Sequence, residues 1–262
     1  MTLWGKRLAL PVLAAVLTAP IVGQASYDET EAFEISQAAV GRTIGDYEFT
    51  TSNGEEFRFD ELRGRPVVVS MIYTSCYHIC PMLTQRLADV VDVGWEALGE
   101  DSFDVVTIGF DTLVDTPDVM KAYADVRGLD QENWYFLAGG AEAIQALSDD
   151  LGFIFFSSPK GFDHLAQTTV LGADGAVYRQ VYGQQFTTPE LVEPLKELVF
   201  DTPREASFVD GWMETVRLFC TIYDPTSDRY RFDYSIFVGI FVGVLCLGVV
   251  AIFLIRAWRE AV

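Results

Sequence analysis

The sequence predicts an α/β domain with a mixed sheet and flanking helices, followed by a helix that crosses a membrane. Three observations predict it. Short, nearly continuous apolar runs alternate with segments of helical spacing. The last strands close as a hairpin around Asp174-Gly175, a turn signal of paired antiparallel strands. A long stretch from Ser235 to Ile255 carries no charge.

The elements follow in order. "YEFTTSNGEEFRF" alternates around Asn53-Gly54 and reads as a first hairpin. "RPVVVSMIY" and "FDVVTIGF" (Phe103 to Phe110) are apolar and rich in β-branched residues, as strands buried on both faces should be. "WYFLAG" reads as a third such strand, "FIFFS" (Phe153 to Ser157) as a short fourth, and "TTVLGADGAVYRQVYG" as the closing hairpin. Helices are expected over Pro81 to Leu98, Pro117 to Val126, Ala141 to Leu151 and Pro189 to Phe200. Proline near the first turn marks the start of the second of these.

Both ends of the chain are apolar. Lys6 and Arg7 precede "LALPVLAAVLTAPIVGQA", with Gly23 and Ala25 suited to a cleavage site, so residues 1–25 read as a signal peptide. An uncleaved N-terminal anchor is the alternative. Residues 26–39, polar and acidic without a clear period, read as a linker to the domain at 40–200. Residues 201–234 read as a juxtamembrane segment. Residues 235–255 are expected to span the bilayer, with Tyr230 and Tyr234 at one interface and Trp258 at the other. Arg256 and Arg259 then keep the tail, 256–262, in the cytoplasm and leave the domain outside, which points to a bacterial cytoplasmic membrane with the domain facing the periplasm. The formal net charge of −20 argues against a nucleic-acid partner, which requires a basic footprint.

Of four cysteines, Cys76 and Cys80 stand one helical turn apart in "YTSCYHICPML", just after a buried strand. A helix N-terminus there lowers thiol pKa values and favours thiolate, the form that attacks disulfides and binds soft metals. A structural disulfide, a redox pair and a metal site are all open. Two thiolates favour Cu(I) or zinc, and an imidazole supplies a third ligand. His78 points away from both cysteines on a regular helix. His164, in "KGFDHLAQTTVLGADG", precedes the closing hairpin, and in thioredoxin-like folds that loop packs beside the active-site cysteines.

Taken together, "YTSCYHICPML", "GFDTLVDTPDVMKAYAD" and "FDHLAQTTVLGADGAVYRQVYG" resemble the Sco/SenC family, over about Val40 to Phe200. The resemblance implies a thioredoxin-like (peroxiredoxin-like) fold on a membrane tether. It implies a role with copper at the CuA centre of cytochrome c oxidase. It also implies Cys76, Cys80 and His164 as ligands of Cu(I) or Cu(II), and as partners the CuA-bearing oxidase subunit and a periplasmic copper donor. The chain departs from the family pattern in places. The acidic loop reads Asp111-Thr112-Leu113-Val114-Asp115-Thr116-Pro117, keeping the two aspartates but lacking the family's proline and arginine. Asp111 is a candidate for tuning the site or meeting a partner, and Asp115 for capping a helix. Leu165 stands where the family has serine, and the tether lies at the C-terminus.

Two functions compete. A metallochaperone passes copper by ligand exchange, without covalent substrate chemistry. A thiol–disulfide oxidoreductase attacks through Cys76, resolves through Cys80, and reduces the dithiol of an apo copper site. A peroxiredoxin is disfavoured, because Val69 and Tyr73 stand where its proline and threonine belong, and an ordinary thioredoxin by the wider cysteine spacing. Cys220 is read as an inert thiol, with a copper relay or a mixed disulfide as alternatives, and Cys246 as packing.

Overall fold

The computed structural model describes residues 27–77, 79–201, 221–232 and 234–261. The signal-peptide reading of residues 1–25, His78 and Cys220 fall outside them.

The strands are β1 (Glu48–Thr51), β2 (Glu56–Arg58), β3 (Val67–Ile72), β4 (Asp104–Gly109) and β5 (Trp134–Ala138). They continue with β6 (Phe155–Ser158), β7 (Gly161–His164), β8 (Gln167–Leu171), β9 (Val177–Tyr182), β10 (Thr221–Asp224) and β11 (Arg229–Phe232). The helices are α1 (Glu29–Ala38), α2 (Ile79–Leu98), α3 (Pro117–Arg127), α4 (Ala141–Leu151), α5 (Thr188–Asp201) and α6 (Ser235–Ala261). Seven strands form one mixed sheet in the order β2-β1-β5-β4-β3-β8-β9. Its centre, β5-β4-β3, is parallel, and antiparallel pairs close both sides. Every residue of β3 and β4 is buried, the physical reason their sequences are continuous apolar runs and not alternating ones.

The structure departs from the sequence expectations at four places. The segment expected as a linker instead carries α1, capped by Asp28, whose Oδ1 accepts from the amides of Thr30 and Glu31. Only Ala32 and Ser36 of this helix are buried. Two small residues leave no visible hydrophobic period, yet Ser36 donates to Gln167 at 2.7 Å and holds the helix on the domain. Second, Phe155–Ser158 does not join the main sheet. It pairs with β7 in a separate hairpin, Phe155 opposite His164. Third, α2 begins at Ile79, two residues before Pro81, so Cys80 lies in its first turn. Fourth, the segment expected as juxtamembrane contains the β10–β11 hairpin, and Tyr230, expected at a membrane interface, packs instead against the domain core.

The helix α6 is 27 residues long. Among the described residues no helix is long and apolar enough to cross a membrane. The membrane-crossing reading of Ser235 to Ile255 therefore rests on the sequence.

Candidate functional site

Strand β3 delivers Tyr73 at its end, and the chain then turns, the Cys76 amide donating to the Tyr73 carbonyl at 3.1 Å. Cys76 is half-buried just ahead of α2, and Cys80, in the first turn, is 1% exposed. The Cys80 amide donates to the Cys76 sulfur at 3.4 Å, the interaction a helix N-terminus offers an anion. The structure thus brings the two cysteines together.

Cys80 itself does not follow the expected lowering of its pKa. Burial pushes its thiol up to about 12, although a backbone hydrogen bond at Tyr73 opposes the rise. The helix terminus is a surface effect of a few tenths to about 2 kcal/mol. Withdrawing a thiolate from water outweighs it at a fully buried position.

The loop carrying Cys76 is pinned by Asp115, a carboxylate only 2% exposed. Its Oδ1 accepts from the Thr74 amide at 2.9 Å and the Thr74 hydroxyl at 2.5 Å, and its Oδ2 from the Asp111 amide at 2.9 Å. Burial raises its pKa, and those hydrogen bonds resist the rise. Asp115 therefore ties the β3 loop to the β4 loop and does not cap α3. The N-cap of that helix is Thr116, which makes no side-chain cap hydrogen bond. The close approach depends on Gly109, where a Cβ would stand 2.4 Å from the Cβ of Asp115. Asp111 contributes its backbone here: the amide donates to Asp115 and the carbonyl accepts from Val114 and Asp115.

His164 ends β7, in an aromatic box. Ring centroids of Phe110 and Phe153 lie 5.4 Å from the imidazole and that of Tyr73 lies 5.9 Å away. Burial lowers its pKa, with the Leu165 carbonyl and Asp163 acting the other way. The neutral ring then donates Nδ1–H to the Leu165 carbonyl at 2.7 Å and leaves the Nε2 lone pair unused by that bond. The residue that replaces the family's serine thus orients the histidine through its backbone, which any side chain at 165 supplies.

Tyr73 touches both halves of the site. Its hydroxyl hydrogen-bonds Cys76 and the Phe162 backbone, and its ring packs edge-on against His164. Burial, then the Cys76 contact, push this phenol up to about 12. Among the described residues, no group of three His, Cys, Asp or Glu side chains stands close enough to hold a metal ion as the side chains lie. The cysteines are paired, His164 is their neighbour through Tyr73, and the three do not form a closed cluster. In the sequence Tyr73 was notable only for occupying a peroxiredoxin threonine's place. The aromatic that ends a buried strand three residues before Cys76 was the available signal.

A parallel-centred sheet with one cysteine just ahead of α2 and a second in the first turn of that helix defines a thioredoxin-like domain. The family model described as SCO1/SenC matches residues 36–199. The chain belongs to the SCO1/SenC family. It is 28% identical over 162 residues to a SCO2-like protein of Rickettsia felis, covering 58% of this chain and 75% of the relative. Bradyrhizobium japonicum ScoI, solved with copper bound, superposes with a TM-score of 0.51 at 22% identity, over 60% of this chain and 99% of that one. BsSco, described as having a disulfide switch and as a member of a family of cytochrome c oxidase assembly proteins, gives a TM-score of 0.54 at 20% identity, over 62% and 95%.

Proposed function

We propose that this chain is a membrane-anchored copper carrier that holds its cargo through Cys76, Cys80 and His164 and assists assembly of the CuA centre of cytochrome c oxidase. The observation that carries this reading is the pairing of Cys76 with Cys80, with Tyr73 bridging from Cys76 to a histidine whose Nδ1 is already engaged. Two sulfurs and one neutral imidazole are soft and intermediate donors in a number suited to Cu(I). Family membership and the copper held by ScoI support the cargo, and the printed description of BsSco supports the oxidase. Cys76, the more exposed sulfur, is where an incoming ligand meets the site, and transfer proceeds by ligand exchange alone. The uncharged run Ser235 to Ile255, helical throughout, supports a C-terminal anchor, and Arg256 and Arg259 support a periplasmic domain.

A second reading, a thiol–disulfide reductase acting on the cysteines of an apo copper site, is favoured by the contact between Cys76 and Cys80 and by the disulfide switch described for BsSco. Copper retention separates the two. The reduced full chain in detergent is placed in anaerobic competition with a Cu(I) chelator, wild type beside Cys76→Ser, Cys80→Ser, His164→Ala and Cys220→Ser. One tightly held copper is expected in wild type and in Cys220→Ser, with at least about a hundredfold weaker retention in the other three, since losing a ligand should cost no less than the roughly 10–100-fold of losing a ligand's hydrogen-bonding partner. Tight stoichiometric copper in His164→Ala would remove the three-ligand site. No copper in wild type would leave the reductase.

A further inference from the structure

The β10–β11 hairpin, between the domain and α6, is anchored on the α2–α5 face. Asp228, at φ 49° in its turn, accepts from Thr188 Oγ1 at 2.6 Å, Tyr223 at 2.8 Å and Arg86 at 3.2 Å. Tyr230 donates to Glu193 at 2.7 Å and packs against the core, and Arg229 pairs with Glu96. These contacts have a direction. Residue 228 meets the start of α5 and the second turn of α2, whereas residues 229 and 230 meet Glu96 and Glu193 further along both helices. The helices advance together: Arg86 bonds Thr188, and a Cβ at Gly94 would lie 3.7 Å from Val192. Strand β11 therefore leaves the domain heading for the C-terminal end of α2. Cys76 and Cys80 stand at the opposite end of that helix, whose 20 residues measure about 30 Å.

We infer that the hairpin is an orienting buckle, which holds the C-terminal end of α2 toward the membrane and the cysteine end away from it. The inference rests on the anchored reading above and adds to it a requirement on the partner. The recipient presents its acceptor group up to about 30 Å above the bilayer surface, on a domain that stands off the membrane and not at the headgroups. The multiple contacts at Asp228 make this more than a flexible tether, because a polar linker would leave the domain free to tumble.

Energy transfer tests it. The full chain is reconstituted in phosphatidylcholine–phosphatidylglycerol vesicles bearing a headgroup acceptor. A donor dye is attached through an unnatural residue either at Tyr77, which is 96% exposed beside Cys76, or at Glu100, just past the end of α2. Transfer from position 100 is expected to exceed that from position 77 several-fold. The difference should collapse in Asp228→Ala, and also when a flexible Gly/Ser insert after Asp233 uncouples the intact hairpin from α6. Equal transfer from both positions on vesicle-bound wild type overturns the inference and leaves the anchor standing. So does a difference that survives the insert. A chain that does not float with the vesicles overturns the anchor and the inference together.

Discussion

Removing the Asp115 carboxylate should loosen the cysteine loop at a cost that the geometry lets one work out. Asp115→Ala strands the Thr74 amide, the Thr74 hydroxyl and the Asp111 amide, each of which now bonds a carboxylate oxygen. Hydrogen bonds to a charged group are worth about 1.5–3 kcal/mol each when fully buried. Thr74 and Asp111 are only half-buried, so water reaches the freed donors and about 1 kcal/mol apiece is the better scale. Against that loss stands the relief of no longer burying a charge, which the raised pKa of Asp115 shows to be unfavourable. The net expectation is a loss of about 2 kcal/mol for Asp115→Ala. For Asp115→Asn, where the amide must turn its own donors toward one of those donors, the expectation is about 1–2 kcal/mol. Urea unfolding followed by circular dichroism reads this as a lower midpoint with an unchanged slope. Because the same bonds hold the loop, Cys76 in Asp115→Ala should also alkylate at a changed rate. A midpoint equal to wild type would refute the reasoning, since it would mean that the carboxylate holds nothing the loop needs.

The remaining predictions concern the two halves of the site. Cys80 is buried with its thiol pushed up to about 12, whereas Cys76 is half-exposed. In the reduced chain iodoacetamide should therefore modify Cys76 first, at least about tenfold faster by thiolate fraction and access. Peptide mass spectrometry that found equal labelling would contradict the assigned burial. For His164 the folded pKa lies below the unfolded 6.5, because burial disfavours the imidazolium. The unfolded chain then binds the proton more readily, and stability present above pH 6.5 is lost as pH falls toward the folded value. His164→Gln should abolish that component, and parallel pH–stability curves for the two proteins would show that the ring does not titrate as buried. Copper retention should weaken only at more acid pH, at and below the lowered folded pKa of the ring, where protons compete for its nitrogen in the folded chain.

Much of the architecture was legible in the chain because it depends on local pattern. The central strands announced themselves as apolar runs, since a parallel strand buried on both faces has no polar side to show. Asn53-Gly54 and Asp174-Gly175 marked their hairpins because their backbones require the conformations such residues reach cheaply. The cysteine pair was visible by spacing alone, and its family by the motifs around it. The acidic segment holding α1 was not legible as a helix of the domain. Only Ser36 and Ala32 are buried, and the rest of its docking runs through the more exposed Phe33 and Gln37 on Tyr182, which leaves no buried apolar stripe to read.

What the sequence by itself determined is therefore the mixed α/β fold class and the family, because local pattern and motif carry these. Only the tertiary structure decided what each group experiences. It buried Cys80 against the pull of its helix terminus, turned Asp115 from a presumed cap into a tie between two loops, and set Tyr73 against both Cys76 and His164. It also carried β11 to the far end of α2. Desolvation and long-range contact set those outcomes, and both depend on neighbours that are distant in sequence.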